Sequence, residues 1–242
     1  MTTRRLGLDH ILAAWRGGIV VSCQAPEGSP LRQPGTMAAM AQAGAMAGAI
    51  GIRANGPADV AAIRAVVDLP IVGIDKRPDI DPLAYITPNL QAVTGLVEAG
   101  ADLVAIDGTL RPRNGSGARG AGELLVQIRN LYPDLPVMAD VSSVEEGVAA
   151  AEAGAHIVAT TLSGYTGAKA VSGEPDIALI AGLVSAQPRP VVAEGRYSTT
   201  AQVVAAFEAG AHAVVIGTAI TDPLALARRF VAAATKRARA LY

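Results

Sequence analysis

The chain is poor in cysteine and histidine. Its 242 residues include one cysteine, Cys23, and three histidines that lie far apart in the sequence. A single cysteine excludes an intrachain disulfide and gives no zinc pattern, so the sequence fits a reducing cytoplasm. Neither a His-Glu-x-x-His nor a Gly-x-Ser-x-Gly motif is present, which argues against metal catalysis and triad hydrolysis. We therefore expect a cytoplasmic protein with no metal site.

A strong charge imbalance and long apolar runs are also absent. The formal net charge is −1, which indicates neither a nucleic-acid partner nor an anionic membrane surface. No stretch approaches 18 apolar residues without glycine or charge, so a membrane span is not expected. Asp9, His10 and Arg16 interrupt the apolar stretch near the N-terminus, which argues against an export signal. With 51% apolar residues, residues 1–242 are predicted to form one domain with a large core.

One short phrase recurs along the chain and indicates the fold. Glu-Ala-Gly-Ala begins at Glu98, Glu152 and Glu208, and Gln-Ala-Gly-Ala begins at Gln42. The glycines of these phrases are 56, 54 and 56 residues apart. Each phrase is interpreted as a helix that ends at glycine and leads into an apolar strand. Alanine-rich helices can also repeat by composition alone, but the regular spacing favours four periods of two βα units each, and hence an α/β fold of the (β/α)₈ TIM-barrel class. A short helix from Leu8 to Trp15 is predicted to close the barrel bottom.

Eight apolar runs are predicted to be the strands of this barrel. They are Gly18 to Gln24, Ala47 to Arg53, Ile71 to Lys76, Asp102 to Asp107, Val137 to Asp140, Ile157 to Thr161, Val191 to Glu194 and Ala213 to Gly217. The first seven runs end at a polar residue: Gln24, Arg53, Lys76, Asp107, Asp140, Thr161 and Glu194. Polar residues often end strands simply because the chain reaches solvent there. That explanation accounts poorly for a ring of positively and negatively charged residues around one end of the barrel. The carboxyl end of barrel strands is where catalysis occurs.

The last two predicted strands indicate a phosphate site. Gly195 follows the seventh and Gly217 ends the eighth, and Arg196 and Thr218 come directly after these glycines. Glycine allows backbone N–H groups to approach an anion, and in this fold a phosphate commonly binds after strands 7 and 8. We therefore expect a small ligand that carries phosphate.

A doubly wound sheet is the alternative α/β fold. The triplet Gly115-Ser116-Gly117 lacks the spacing of a P-loop or a dinucleotide fingerprint, so a nucleotide site is not predicted. We interpret residues 111–120 instead as a flexible lid loop after the fourth strand.

Eight motifs in order resemble the N-acetylmannosamine-6-phosphate 2-epimerase family. They are Ile19-Val-Val-Ser-Cys-Gln24-Ala, Gly51-Ile-Arg53-Ala-Asn, Gly73-Ile-Asp-Lys76-Arg, Ile86-Thr-Pro, Met138-Ala-Asp140, Thr160-Thr-Leu-Ser-Gly-Tyr165-Thr, Ala193-Glu194-Gly-Arg and Ile216-Gly-Thr-Ala-Ile-Thr221. The resemblance spans about residues 18 to 230. It implies interconversion of N-acetylmannosamine 6-phosphate and N-acetylglucosamine 6-phosphate, without an organic cofactor or a required metal, and a homodimer as a family-level expectation.

The resemblance also implies roles for individual residues. Lys76 and Glu194 match the catalytic lysine and glutamate of the family, which would move protons in ring opening and at carbon 2. The positions expected to bind the sugar are Gln24, Arg53, Asp140, Thr161 and Tyr165, and those expected to bind phosphate are Gly195, Arg196, Gly217 and Thr218. A neutral lysine base needs a lowered pKa, which burial and the neighbouring Arg53 could supply. Asp107 is interpreted as structural, because the reaction does not require a third carboxylate.

Two departures from the family pattern leave other functions open. Asp222-Pro223 stands where members often carry Arg-Pro, and the loop at residues 111–122 is longer than usual. Another sugar-phosphate isomerase would keep the glycine cradle without needing both Lys76 and Glu194. A non-catalytic sugar-phosphate sensor would keep the cradle and bind without turnover.

Overall fold

A computed structural model describes residues 6–113, 117–167 and 173–241, with side chains through residue 235. Eight parallel strands, paired in chain order, close into a barrel. They are β1 (Ile19–Cys23), β2 (Gly51–Asn55), β3 (Ile71–Ile74), β4 (Leu103–Asp107), β5 (Val137–Asp140), β6 (Ile157–Ala159), β7 (Val191–Glu194) and β8 (Ala213–Ile216). The predicted (β/α)₈ barrel is therefore confirmed.

The helices surround this barrel and alternate with the strands. They are α1 (Leu8–Trp15), α2 (Pro34–Met46), α3 (Pro57–Arg64), α4 (Leu90–Glu98), α5 (Ala121–Leu131), α6 (Val144–Glu152), α7 (Ile177–Ala186), α8 (Thr200–Glu208), α9 (Thr218–Thr221) and α10 (Pro223–Leu241). Within the described ranges, none of these helices combines the length and the apolar character that a membrane crossing needs.

Seven of the eight strands contribute to two separate apolar cores, and β2 contributes only to the outer one. Successive strand side chains point to opposite faces, so one set fills the barrel and the other packs beneath the helices. The interior set includes Val20, Val72, Leu103, Met138 and Val192. The outer set includes Val21, Ile52, Ile71, Val104 and Val137. Both faces of every strand are therefore buried, which is why the strands are nearly continuous apolar runs.

The predicted bottom helix, α1, has the predicted bounds. Its Ile11 and Trp15 are fully buried and pack with the interior set of strand residues. Nε2 of His212, at the start of β8, lies 2.8 Å from the carbonyl oxygen of Leu12. The lower end of the barrel is therefore filled by side chains, which leaves the upper end as the open one.

The prediction that all four repeated phrases end a helix was wrong for Gly44. Helix α2 continues to Met46, and the left-handed residue that follows it is Gly48, with φ of +90°. Gly44 lies inside the helix, where a Cβ atom would stand 3.1 Å from Cγ2 of Val21. Its small size lets α2 approach β1 closely. The glycines of the other three phrases are left-handed residues that follow helices, as predicted: Gly100, Gly154 and Gly210.

Several strand boundaries also differ from the prediction. Strand β2 begins at Gly51 rather than Ala47, because the turn after α2 occupies residues 47 and 48. Strand β3 ends at Ile74, and Lys76 instead forms an antiparallel bridge with Ile86. This bridge folds the β3–α4 loop back over the barrel and buries Ile86 with the interior residues.

The predicted lid loop at residues 111–120 is described only in part, since residues 114–116 lie outside the described ranges. Before that gap, the side chain of Arg113 is buried. Its guanidinium donates to the carbonyl oxygens of Pro88, at 2.9 Å, and Asp107. The start of this segment therefore packs against the rim of the barrel.

Candidate active site

The predicted polar residues gather at one end of the barrel because of strand periodicity. Lys76 lies four residues after the inward-facing Val72, and Glu194 lies two after Val192. The other polar strand ends have the same even spacing, so all of them continue the inward face at the carboxyl end. Asp107 is covered there by the β3–α4 loop, since its N–H donates to the carbonyl oxygen of Ile86, and its carboxylate accepts from Thr109 and Arg111.

A cavity of about 490 Å³ opens at this end of the barrel. Ten of the eleven predicted site residues line it: Gln24, Arg53, Lys76, Thr161, Tyr165, Glu194, Gly195, Arg196, Gly217 and Thr218. Asp140 is the exception, because it is fully buried beneath Arg53. The cavity volume exceeds that of a small ion and falls within the range of small-molecule sites.

Arg53 is the centre of a buried ion-pair cluster below the cavity. Its Nη2 lies 2.6 Å from Oδ2 of Asp140, and its Nη1 lies 3.2 Å from Oδ1 of the same carboxylate. The same Nη1 lies 3.1 Å from Oε2 of Glu194. Oγ1 of Thr161 stands between the two acids, 2.8 Å from Oδ1 of Asp140 and 3.0 Å from Oε2 of Glu194. One guanidinium therefore faces two carboxyl groups that share a hydroxyl.

The backbone of each proposed catalytic residue is held by a neighbouring strand. The N–H of Lys76 donates to Oδ1 of Asn55 at 3.0 Å. Thr160 Oγ1 accepts from the N–H of Glu194 at 3.0 Å and donates to its carbonyl oxygen at 2.9 Å. These bonds fix where the two side chains enter the cavity.

The pKa of Lys76 is lowered from its ordinary value by desolvation and then by the positive charge of Arg53, while Glu194 and Asp140 oppose the shift. The Lys76 side chain is exposed to solvent in the open cavity, but protein atoms surround that cavity and limit the solvent around the amine. Water in the open cavity moderates the shift, and a ligand that displaces this water would strengthen it. The neutral form of Lys76 is thus favoured when the site is filled.

Glu194 is shifted in the complementary direction. Desolvation raises the pKa of its carboxyl group, and the negative charge of Asp140 adds to the shift, while Arg53 opposes it. A group that holds its proton above its ordinary pKa can act as a general acid near neutral pH. The two pKa shifts therefore favour the neutral forms of both Lys76 and Glu194.

The loop after β7 has an unusual backbone. Gly195 has φ of +117° and Arg196, although not a glycine, has φ of +62°. The Arg196 guanidinium donates to the carbonyl oxygens of Ser163, at 2.6 Å, and Glu174, at 2.7 Å, and lies 5.5 Å from the ring centre of Tyr165. Arg196 therefore links the loops after β6 and β7 while it lines the cavity.

The other half of the predicted phosphate cradle lies at the start of α9. Gly217 precedes this helix and Thr218 is its first residue. The first N–H groups of a helix have no intrahelical acceptor. Oγ1 of Thr221 donates to the carbonyl oxygen of Ser22 at 2.6 Å, which fixes α9 against β1.

Sequence reasoning missed several residues that line the cavity. Ser22 lies one residue before the end of β1 and Asn55 ends β2, so both could have been found from their position, whereas Arg32, Tyr85 and Tyr197 lie in loops without a periodic signal. Three buried polar atoms of lining residues have no hydrogen-bond partner among the described residues: Oε1 of Gln24, Nε of Arg53 and the phenol oxygen of Tyr197. Such atoms are rare in proteins and can be satisfied by a polar ligand.

The fold is a closed (β/α)₈ barrel, and a lysine, a glutamate and an arginine gather at the carboxyl ends of its strands. This arrangement is typical of an enzyme that performs acid–base chemistry on a small polar ligand. Comparison with known proteins identifies the family. The family model described as "Putative N-acetylmannosamine-6-phosphate epimerase" matches residues 37–236. The chain belongs to the N-acetylmannosamine-6-phosphate 2-epimerase family, as its motifs predicted.

Individual relatives agree with this assignment. A protein of Caldanaerobacter subterraneus named as a 2-epimerase of this kind is 45% identical over 221 residues, which cover 91% of this chain and 92% of the relative. A protein of the same name from Cutibacterium acnes is 47% identical over 220 residues, covering 90% and 94%. The solved N-acetylmannosamine-6-phosphate 2-epimerase of Clostridium perfringens superposes with a TM-score of 0.86 at 36% identity, covering 95% of this chain and 98% of that one.

Proposed function

We propose that this protein interconverts N-acetylmannosamine 6-phosphate and N-acetylglucosamine 6-phosphate. The observation that carries the proposal is the placement of Lys76, Glu194 and Arg53 on one cavity, beside the glycines that follow β7 and β8. A base and an acid account for proton transfer at carbon 2, and the glycines account for the phosphate. The named relatives support the same substrate pair.

The reaction inverts a carbon that carries an acetamido group. Its proton becomes acidic once the sugar ring opens and carbon 1 is an aldehyde. Lys76 removes the carbon 2 proton, the electron pair moves toward carbon 1, and negative charge develops on the carbonyl oxygen. Arg53 supplies a fixed positive charge near that oxygen, and Glu194 supplies a proton during ring opening or at the opposite face. Return of a proton to the other face of carbon 2 gives the epimer.

The phosphate is anchored on the opposite side of the cavity from Lys76. Backbone N–H groups near Gly195, Gly217 and Thr218 would donate to its oxygens. Two side-chain donors of Arg196 are already bound to carbonyl oxygens, so its contribution is its charge and its control of the loop. Arg32, on the β1–α2 loop, lines the same cavity and forms no ion pair within 4.0 Å among the described residues.

Turnover of each epimer tests the proposal. Purified protein, pretreated with a chelator, is incubated in deuterium oxide with N-acetylmannosamine 6-phosphate or its epimer, and the products are followed by NMR. We expect conversion in both directions, deuterium at carbon 2 of the product, and much poorer conversion of the unphosphorylated sugar. Lys76→Ala should abolish both conversion and exchange while phosphate-dependent binding persists. Saturable binding without turnover by the unmodified protein would identify a sensor instead, and turnover of a different sugar phosphate alone would identify another isomerase.

A homodimer and a cytoplasmic location are the remaining parts of the proposal. Phe230 and Val231 of α10 are 77% and 66% exposed, and among the described elements this helix packs closely only against α9. A second copy of the chain would cover this apolar face. Reducing conditions suit the single, buried Cys23, whose thiol pKa is raised to about 12 by burial and then by the charge of Asp59.

A further inference from the structure

We propose that Thr161 is a positioning residue that keeps a proton on Glu194, so that Glu194 enters the reaction as an acid while Lys76 enters it as a base. This inference deepens the proposed function and depends on it for the identity of the reaction. The protonation of Glu194 itself can be measured without turnover.

The Thr161 hydroxyl has fewer hydrogens than contacts with the two acids. Thr161 Oγ1 carries one hydrogen, yet it lies within hydrogen-bond distance of Oδ1 of Asp140, at 2.8 Å, and of Oε2 of Glu194, at 3.0 Å. Two ionised carboxylates can only accept hydrogen bonds. A single hydrogen serves both oxygens only as a bifurcated bond, whereas protonation of one of the two acids, which then donates to the hydroxyl oxygen, gives each contact a hydrogen of its own.

The surroundings of the two acids differ. Asp140 is fully buried and faces both terminal nitrogens of Arg53, an arrangement typical of an ionised carboxylate. Glu194 approaches only one of these nitrogens, and its side chain is 13% exposed. The shorter contact of Thr161 is with Asp140. We therefore assign the hydroxyl hydrogen to Asp140 and the carboxyl proton to Glu194, which donates to Thr161.

The charge balance of the cluster favours the same assignment. The groups that face Glu194 are Arg53 from β2, Lys76 after β3, Asp140 from β5 and Thr161 after β6. With Glu194 protonated and Lys76 neutral, the charges of Arg53 and Asp140 cancel. Desolvation disfavours any further charge in this recess, and it moves the pKa values of both Glu194 and Lys76 toward these neutral forms.

Two opposite roles for the hydroxyl can be distinguished experimentally. A hydroxyl that donates to Glu194 would stabilise the ionised carboxylate and lower its pKa. A hydroxyl that accepts from Glu194 stabilises the protonated form and raises it. Removing the hydroxyl therefore shifts the titration of Glu194 in opposite directions under the two arrangements.

The test is infrared difference spectroscopy of the whole protein as a function of pH, following the C=O stretch of a protonated carboxyl group. The signal of Glu194 is the one that disappears in Glu194→Gln. Thr161→Val keeps the shape and removes the hydroxyl, whereas Thr161→Ser keeps the hydroxyl and removes the methyl group. Thr166→Val is the matched control, because the Thr166 hydroxyl donates to Ser142 and not to the cluster.

We expect the midpoint of the Glu194 signal to fall by about one pH unit in Thr161→Val, the effect of one lost hydrogen bond. Thr161→Ser and Thr166→Val should retain the wild-type midpoint, and the alkaline limb of kcat/KM should move with the spectroscopic midpoint. If Thr161→Val does not fold, Thr161→Ala serves as the second variant, checked by circular dichroism. An unchanged or raised midpoint overturns the inference, as does the absence of a protonated Glu194 signal in the unmodified protein near neutral pH. Failure to epimerise either sugar phosphate would instead refute the proposed function and leave the infrared result standing.

Discussion

Replacing Asp140 by asparagine tests whether the Arg53 cluster stabilises the fold. Asp140 supplies two of the three close contacts of the Arg53 guanidinium to carboxyl groups, at 2.6 and 3.2 Å. Removing one partner of a buried ion pair typically costs about 3–5 kcal/mol. Glu194 lies 3.1 Å from the same guanidinium and can replace part of the lost negative charge. We therefore expect a loss of about 3 kcal/mol, which for a chain of this size lowers Tm by roughly 6–12 °C.

The assay is urea unfolding followed by circular dichroism, with thermal unfolding in parallel. Asp79→Asn is the control, because Asp79 pairs with Arg77 at 2.8 Å at an exposed site, where ion pairs contribute little. The control should unfold like the unmodified protein. Asp140→Asn should also lose activity, since Glu194 becomes the main counter-ion of Arg53 and gives up its proton. If Asp140→Asn is no less stable than Asp79→Asn, the buried cluster does not hold the barrel end together.

Three further changes give distinct outcomes. Burial raises the pKa of Glu194 above its ordinary 4.5, so its contribution to stability is complete below pH 4.5 and is lost as pH rises through the folded pKa. The free energy of unfolding of Glu194→Gln, measured in urea, should therefore increase relative to that of the unmodified protein across this pH range. If the two proteins show the same pH dependence of stability, the pKa of Glu194 is not raised. In steady-state assays, Arg32→Ala should raise KM for the sugar phosphate by roughly two- to fivefold, which corresponds to the loss of an exposed ion pair, and kcat should stay unchanged. An unaltered KM would show that Arg32 does not contact the phosphate. Phe230→Glu should convert the proposed dimer into a monomer in light scattering, whereas a monomer before substitution would refute the role of α10.

The fold was predictable because strand and helix patterns repeat. The apolar runs located all eight strands, and strand periodicity places the seven polar ends on the inward face, where five of the seven line the cavity. The error at Gly44 has a local cause, since Ala-Gly-Ala occurs both at residues 43–45 and at residues 47–49. Only the second copy follows the helix, because packing of α2 against Val21 extends the helix past the first one.

The pairing of side chains within the site could not be read from the sequence. Arg53 was predicted to bind the sugar, and its guanidinium is largely bound to Asp140 and Glu194, with only Nε lacking a partner among the described residues. Arg196 was predicted to bind phosphate, yet two of its donors bind loop carbonyls. These outcomes depend on side-chain reach across neighbouring strands. Strand periodicity fixes the face of a residue but not its partner.

The neutral cluster reconciles two demands of the proposed reaction. If Glu194 returns the proton to the other face of carbon 2, the reverse direction uses Lys76 and Glu194 in exchanged states, so the two groups need similar proton affinities. An ordinary lysine and an ordinary glutamate differ by about six pKa units, and a lysine that starts protonated cannot remove the carbon 2 proton. Burial lowers the pKa of Lys76 and raises that of Glu194, so the same desolvation brings the two affinities together. Beneath Lys76 and Glu194, the charges of Arg53 and Asp140 cancel. The Arg53 cation can therefore remain near the developing oxyanion while the buried cluster carries no net charge.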